Sequence, residues 1–106
     1  MKANNQFLYL TTTGRKTGLQ RQIEIWFVES GGRVYILAEH GLEAHWVQNI
    51  LRNPRVDVRI GEQRWHGLAR VLDADEDRDA YLKARLLARD KYGWGEGLPV
   101  EIQPAP

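Results

Sequence analysis

Three cations crowd one tight turn. In the stretch LYLTTTGRKTGLQRQ, Leu8 to Gln22, Gly14 and Gly18 bracket Arg15, Lys16 and Thr17, and Arg21 follows closely. Backbone N–H groups in a glycine-rich turn can converge on an anion, and adjacent Arg and Lys add charge. Arg brings a flat fork that matches phosphate or carboxylate, and Lys brings a point charge. The group suits a phosphate. It is not a P-loop, which needs four residues between its glycines and a Gly-Lys-Ser/Thr ending. Only three residues separate Gly14 from Gly18. A solvated hairpin loop explains the same residues with no ligand, and local chemistry alone favours that plainer reading.

The elements around the turn are legible in the pattern. Phe7 to Thr13 is rich in aromatic and β-branched residues and reads as a strand. Gln22 to Glu29 alternates, with Ile23, Ile25 and Phe27 on one face and Glu24, Trp26 and Val28 on the other. Ser30-Gly31-Gly32 reads as a hairpin turn, and Arg33 to Ala38 as the returning strand. Ala44, Val47, Ile50 and Leu51 then recur at helical spacing beside Trp46, and Asn53-Pro54 stops that helix. Val56, Val58 and Ile60 alternate again, and Gln63 to Leu72 runs back. The acidic run Asp73–Asp79 opens a second helix that reaches about Tyr92, with Gly93 as its C-cap. Leu98 to Ile102 reads as a closing strand. Short hairpin connections favour antiparallel pairing, so a mainly β protein with two helices, built as a small antiparallel barrel, is expected over one domain, 1–106.

Composition bounds the chemistry. Hydrophobic residues make up 42% and charged residues 27%, as in ordinary globular proteins. The chain has no cysteine, which excludes disulfides and a thiolate nucleophile. Net charge is +1, but residues 1–70 hold ten Lys and Arg against six Asp and Glu, and residues 71–106 hold five against eight. A nucleic-acid binder is usually more basic, whereas one small anion needs only a local cluster. Arg52, Arg55, Arg59 and Arg64 are interspersed with Asp57 and Glu62, which reads as a mixed-charge surface. His40 and His45 lie five apart, a poor match for two metal ligands on one helix face, and no metal is expected. Met1 to Gln6 has no apolar h-region, so no signal peptide is expected. No apolar run approaches the roughly 20 residues of a membrane helix. A cytoplasmic protein is expected.

A second stretch changes the weight of the first. It is Trp46-Val47-Gln48-Asn49-Ile50-Leu51-Arg52-Asn53-Pro54, preceded by His40-Gly41-Leu42-Glu43-Ala44-His45. With Thr12-Thr13-Gly14-Arg15-Lys16-Thr17-Gly18 and Arg21, it resembles the deazaflavin-dependent nitroreductase family, within the flavin- and deazaflavin-binding split β-barrels. The resemblance covers about Leu8 to Asp73, and Leu98-Pro99-Val100 looks like the family's closing strand.

The resemblance implies an FMN-binding-protein-like split barrel and an oxidoreductase. It implies coenzyme F-420, an 8-hydroxy-5-deazaflavin with a phosphate-linked oligoglutamate tail, whose reduced form gives hydride to an electron-poor quinone, enone or nitro compound. Arg15, Lys16 and Arg21, with Thr13, Gly14 and Thr17, would then meet phosphate and tail carboxylates. The ring would lie against Ile25 and Trp26 and near Ala44, His45, Trp46 and Asn49. Tyr9, Trp26, Trp65 or Tyr92 would line the acceptor site. No catalytic side chain is implied, because the cofactor carries the chemistry. Two alternatives stand beside this reading: an FMN-dependent reductase, and a non-catalytic flavin- or deazaflavin-binding protein. A homodimer whose second subunit completes the groove is a further expectation.

Overall fold

Strands alternate with tight turns along most of the chain, and the pairing that results is antiparallel throughout. The computed structural model describes residues 6–106, so residues 1–5, which carry most of the signal-peptide expectation, lie outside the described residues. The strands are β1 (Phe7–Thr13), β2 (Gln20–Trp26), β3 (Val28–Ser30), β4 (Arg33–Ala38), β5 (Arg55–Ile60), β6 (Gln63–Val71) and β7 (Leu98–Pro104). The helices are α1 (His45–Arg52), preceded by a 3-10 turn at Gly41–Glu43, and α2 (Arg78–Tyr92). The strands form one sheet in the order β2-β1-β5-β6-β7-β4-β3.

The sheet rolls around a core that alternation dictates. Leu8, Leu10 and Thr12 of β1 point inward and are buried. Leu8 and Leu10 share a core with Val56 and Val58 of β5, Ala69 of β6, Val100 and Ile102 of β7 and Ile36 of β4. α1 plugs one end of the roll with Val47 and Ile50. Leu51, expected on that apolar face, is 55% exposed. Of the expected apolar positions in α1, Val47 and Ile50 are the ones that reach the core.

α2 packs on the outside of the sheet, where Ala84 and Ala88 meet Val28, Tyr35, Leu37 and Leu72. Alanines spaced by four residues let the helix lie close. Leu82 and Leu86 face outward. The acidic run does not begin the helix, as its composition suggested: residues 73–77 form a turn and α2 starts at Arg78. The Asp73 carboxylate accepts the N–H groups of Asp75 at 2.8 Å and Glu76 at 2.9 Å, and Asp77 accepts that of Asp73 at 2.9 Å. Carboxylates of this kind satisfy their own backbone in a turn and so compete with the helix. Arg70 ties this turn to the sheet, bonding Asp77 at 2.9 Å and the buried Glu101 at 3.3 Å. Glu101 also accepts the Tyr35 hydroxyl at 3.0 Å.

The expected single strand from Gln22 to Glu29 breaks at Phe27. β2 pairs with β1 and β3 pairs with β4, so this short segment crosses between the two ends of the sheet. The Phe27 peptide groups therefore have no ladder partner there. α2 supplies one. The Phe27 N–H donates to the Tyr92 hydroxyl at 3.0 Å, and the Phe27 carbonyl accepts from Lys91 Nζ at 3.0 Å and from Tyr92 at 2.7 Å. Lys91 Nζ also lies 4.0 Å over the Phe27 ring.

Tyr92→Phe strips the acceptor from the Phe27 N–H while Lys91 keeps the carbonyl. Leaving one buried donor unmet costs about 1–3 kcal/mol, to be read as a lower urea midpoint at unchanged slope. The turn before α2 carries a pH signature. Backbone bonds from Glu76 and Asp75 hold the Asp73 carboxyl below its ordinary 3.8, and the Asp73 backbone N–H with the Arg70 guanidinium does the same for Asp77. A lowered folded-state pKa gives stability that is present above 3.8 and lost as pH falls through the lower folded value. Asp73→Asn should flatten that part of the acid limb in a stability-versus-pH series.

Candidate functional site

The positive turn is held shut by its own backbone. Gly14 N–H donates to the Leu19 carbonyl at 2.7 Å, and Gly18 N–H donates to the Gly14 carbonyl at 2.8 Å. Thr17 Oγ1 accepts the Leu19 N–H at 3.1 Å. A Cβ on Gly14 would sit 2.9 Å from Thr17 Oγ1 and 3.1 Å from the Leu19 carbonyl oxygen, so this position has no space for a side chain.

α1 then locks onto the turn through one side chain. Asn49 is 5% exposed. Its Oδ1 accepts the Arg15 N–H at 3.1 Å and Arg15 Nη1 at 3.0 Å, and its Nδ2 donates to Thr12 Oγ1 at 3.1 Å. A buried amide that uses both ends fixes its partners in register. Arg15 also reaches the His45 carbonyl at 3.5 Å and ring Nδ1 at 3.4 Å. Arg15 is therefore committed to holding the turn against α1. Lys16 and Arg21 are exposed, and neither has an ion-pair partner among the described residues.

The start of α1 adds to the positive field. Ala44 sits at the N-cap and offers no side-chain bond, and no acid stands in the first turn. The first-turn N–H groups are left for solvent or a ligand, at the end where the helix dipole is positive.

Beside that end opens a groove of about 610 Å³, lined by Phe7, Glu24, Ile25, Trp26, Leu37, Glu39, His40, Ala44, Trp46 and Trp94. It follows the edge of β2 that no strand covers and faces the end of β4 and the start of α1. Its volume lies in the range of small-molecule sites, and its walls are mainly aromatic and apolar.

The expected site residues divide into two groups. Ile25, Trp26, Ala44 and Trp46 line the groove. Thr13, Gly14, Arg15, Lys16, Thr17 and Arg21 lie on or beside the turn, and His45 and Asn49 join the turn to α1. Of the aromatics expected around an acceptor, Trp26 lines the groove and Tyr92 stacks behind it, with ring centroids 4.4 Å apart at 2°. Tyr9 and Trp65 do not line it. They border a separate polar hollow of about 390 Å³ with Arg59, Arg64 and His66, because Tyr9 projects from the outer face of β1 and Trp65 belongs to β6, away from the Ile25–Trp26 end of β2.

Phe7, Glu24, Leu37, Glu39, His40 and Trp94 were not anticipated in the groove. Glu39 and His40 follow β4 directly, at the barrel mouth. Trp94 carried a signal in its neighbours. A Cβ on Gly95 would fall 2.2 Å from the Arg85 carbonyl oxygen and one on Gly97 2.8 Å from that of Ala38, so the glycines let the Trp94 segment press against α2 and β4.

Residues 2–97 match the family described as F420H(2)-dependent quinone reductase. Among solved structures, the chain is similar to an F420-H2 dependent reductase, at 28% identity and a TM-score of 0.71, over 96% of each chain. It is similar to a protein solved as a domain-swapped dimer, at 28% identity and a TM-score of 0.71, over 94% of this chain and 81% of that one. The heme storage protein HutZ from Vibrio cholerae shares the fold at 15% identity, with a TM-score of 0.78 over 97% of this chain and 84% of that one.

Asn49→Ala removes the acceptor of two Arg15 bonds and the donor to Thr12. The expected loss is about 1–3 kcal/mol. Amide exchange should speed up at Arg15 well beyond any change at Leu8, which would separate release of the turn from general loosening.

Proposed function

The chain belongs to the F420H(2)-dependent quinone reductase family, and we propose that its groove and its positive turn form the two ends of one binding site for reduced coenzyme F-420. It is an oxidoreductase of the split-barrel fold, with a quinone-class acceptor. One observation supports the site most strongly. Arg15 bonds Asn49 in the middle of α1 and reaches His45 at its start, beside the Ala44 and Trp46 that wall the groove. An anionic tail on the turn and a flat apolar ring in the groove would then be bridged by the start of α1.

The residues present fit the cofactor's chemistry. Lys16, Arg21 and the uncapped first turn of α1 would hold phosphate and tail carboxylates. Thr13, Gly14 and Thr17 would shape the turn around that phosphate, and Arg15, His45 and Asn49 would fix its position. The uncovered edge of β2 at Ile25 and Trp26 would meet the ring's polar rim through backbone groups. Ala44 and Trp46 would press on its apolar surface and keep water out. When bound, the reduced deazaflavin supplies a hydride, and a quinone that takes it with one proton becomes the hydroquinone. The protein's task is to hold donor and acceptor face to face.

The proposal extends to the whole chain. Residues 1–106 act as one split-barrel domain, in the cytoplasm, and two copies pair as a homodimer. The pairing is supported by the domain-swapped dimer at 28% identity. Light scattering that finds a monomer with full cofactor affinity would remove the dimer from this reading. Enone and nitro acceptors belong in the same screen as quinones.

The electrostatic half has its own test. Lys16→Ala combined with Arg21→Ala should weaken binding of F-420 by roughly tenfold or more, since charge-assisted bonds contribute about 1.5–3 kcal/mol each. Binding of the phosphate-free deazaflavin core should change little. Fluorescence titration reads both, and equal weakening of the two ligands would disconnect the turn from the phosphate.

A further inference from the structure

We propose that the polar hollow on the outer face of β1, β5 and β6 is a second binding site, separate from the groove. Its ligand is a small, multiply charged oxyanion, of the kind carried by phosphate esters and by di- and tricarboxylates.

Strand register builds the hollow. Across β2, β1, β5 and β6, Gln22 faces Thr11, Thr11 faces Asp57, and Asp57 faces His66. Two residues along each strand, Glu24 faces Tyr9, Tyr9 faces Arg59, and Arg59 faces Arg64. A two-residue step keeps both rows on one face of the sheet. α2 covers the other half of that face, over Val28, Tyr35 and Leu37, and leaves this half open.

The charges here are not balanced by the protein. Two arginines directly opposite each other on paired strands repel. Neither Arg59 nor Arg64 has an ion-pair partner among the described residues. Asp57 shares the hollow but is hydrogen-bonded to His66 Nδ1. The Glu24 carboxylate accepts the Tyr9 hydroxyl at 2.9 Å. Both acids are thus engaged, and positive charge is left over at the arginine pair.

Arg59 is also preorganised. Its guanidinium carbon lies 4.1 Å from the Tyr9 ring centroid, and Nη1 donates to the Gly61 carbonyl at 3.4 Å. Its Nε is the one buried side-chain nitrogen or oxygen without a hydrogen-bond partner among the described residues. A cation fixed on an aromatic face, with few bonds of its own, needs little further ordering when an anion arrives. Arg64, the Thr11 hydroxyl and the Gln22 amide add donors around the same space of about 390 Å³. A donor-rich wall calls for a ligand rich in acceptors, and the volume lies in the range of small-molecule sites. The hollow and the groove share no lining residue. The Tyr9–Glu24 bond stands between them, with Tyr9 in the one and Glu24 in the other.

NMR titration of isotope-labelled protein with inorganic phosphate and with citrate tests the assignment, with sodium chloride at matched ionic strength as the control. Both oxyanions should give saturable shifts at Arg59, Arg64 and His66, and the tighter of the two names the charged group of the ligand. Arg64 is exposed, and Arg64→Gln should weaken this binding about tenfold or more, as loss of one charge-assisted bond does. Lys16→Ala with Arg21→Ala should leave it within about twofold, which separates the hollow from the cationic turn. Shifts that match those from sodium chloride, or that persist unchanged in Arg64→Gln, would overturn the site. A matching loss of F-420 affinity in Arg64→Gln would give the hollow to the cofactor's tail and overturn it too. The phosphate and citrate arms need no F-420, so failure of the cofactor site and failure of the hollow are read separately.

Discussion

A seven-stranded sheet has two edges, and the way this chain handles them governs everything else. Open edges present unpaired backbone groups and invite unwanted partners. Here the sheet rolls until β2 and β4 approach, and the chain itself passes from one edge to the other at Phe27. The roll stops short of closing. What remains is a slot with backbone on one side and α1 on the other, which is the groove. The peptide that crosses the gap depends on Tyr92 and Lys91 for its hydrogen bonds, so α2 contributes to the site without entering its centre.

Asn49 solves the complementary problem at the other end. A cationic turn at the tip of a hairpin would ordinarily sample many positions, and exposed Lys and Arg would gain little from any one of them. The buried amide ties the turn to the core strand through Thr12 and to the helix through Arg15. One arginine is used as a strut, and Lys16 and Arg21 are left exposed on the turn and the strand that follows it. Positioning and charge are thus divided among residues that composition alone would treat as one cluster.

The sequence made much of this legible. Strand alternation in Phe7–Thr13 and Val56–Ile60, the Gly31-Gly32 turn, the Asn53-Pro54 stop and the Gly93 cap all carry strong local signals, and the structure follows them. The pairing of the turn with the Trp46–Pro54 stretch was legible only as a family resemblance, because the contact between Arg15 and Asn49 spans thirty-four residues. Local reasoning failed where tertiary demands overrode pattern. Phe27 continues an alternating run that nonetheless has to change sheet edges. Asp73 and Asp77 look like a helix start but bind their own turn. Leu82 and Leu86 hold apolar positions in α2, yet Ala84 and Ala88 are the residues that reach the sheet. Trp94 and His40 sit in segments with no periodicity to place them.

The strand order has a consequence for how the molecule comes into being. β7 is the last strand in chain order, yet it lies between β6 and β4. Until it is in place, β2-β1-β5-β6 and β4-β3 are two separate ribbons joined only by the Phe27 crossing and the α1 connection. During vectorial synthesis the hairpins can form early because their contacts are local, but the ribbons have no shared ladder until β7 has emerged. The two walls of the groove belong to different ribbons, β2 to one and β4 to the other. A nascent chain therefore holds both walls of the groove well before it has a groove, and the strand that unites them lies outside it.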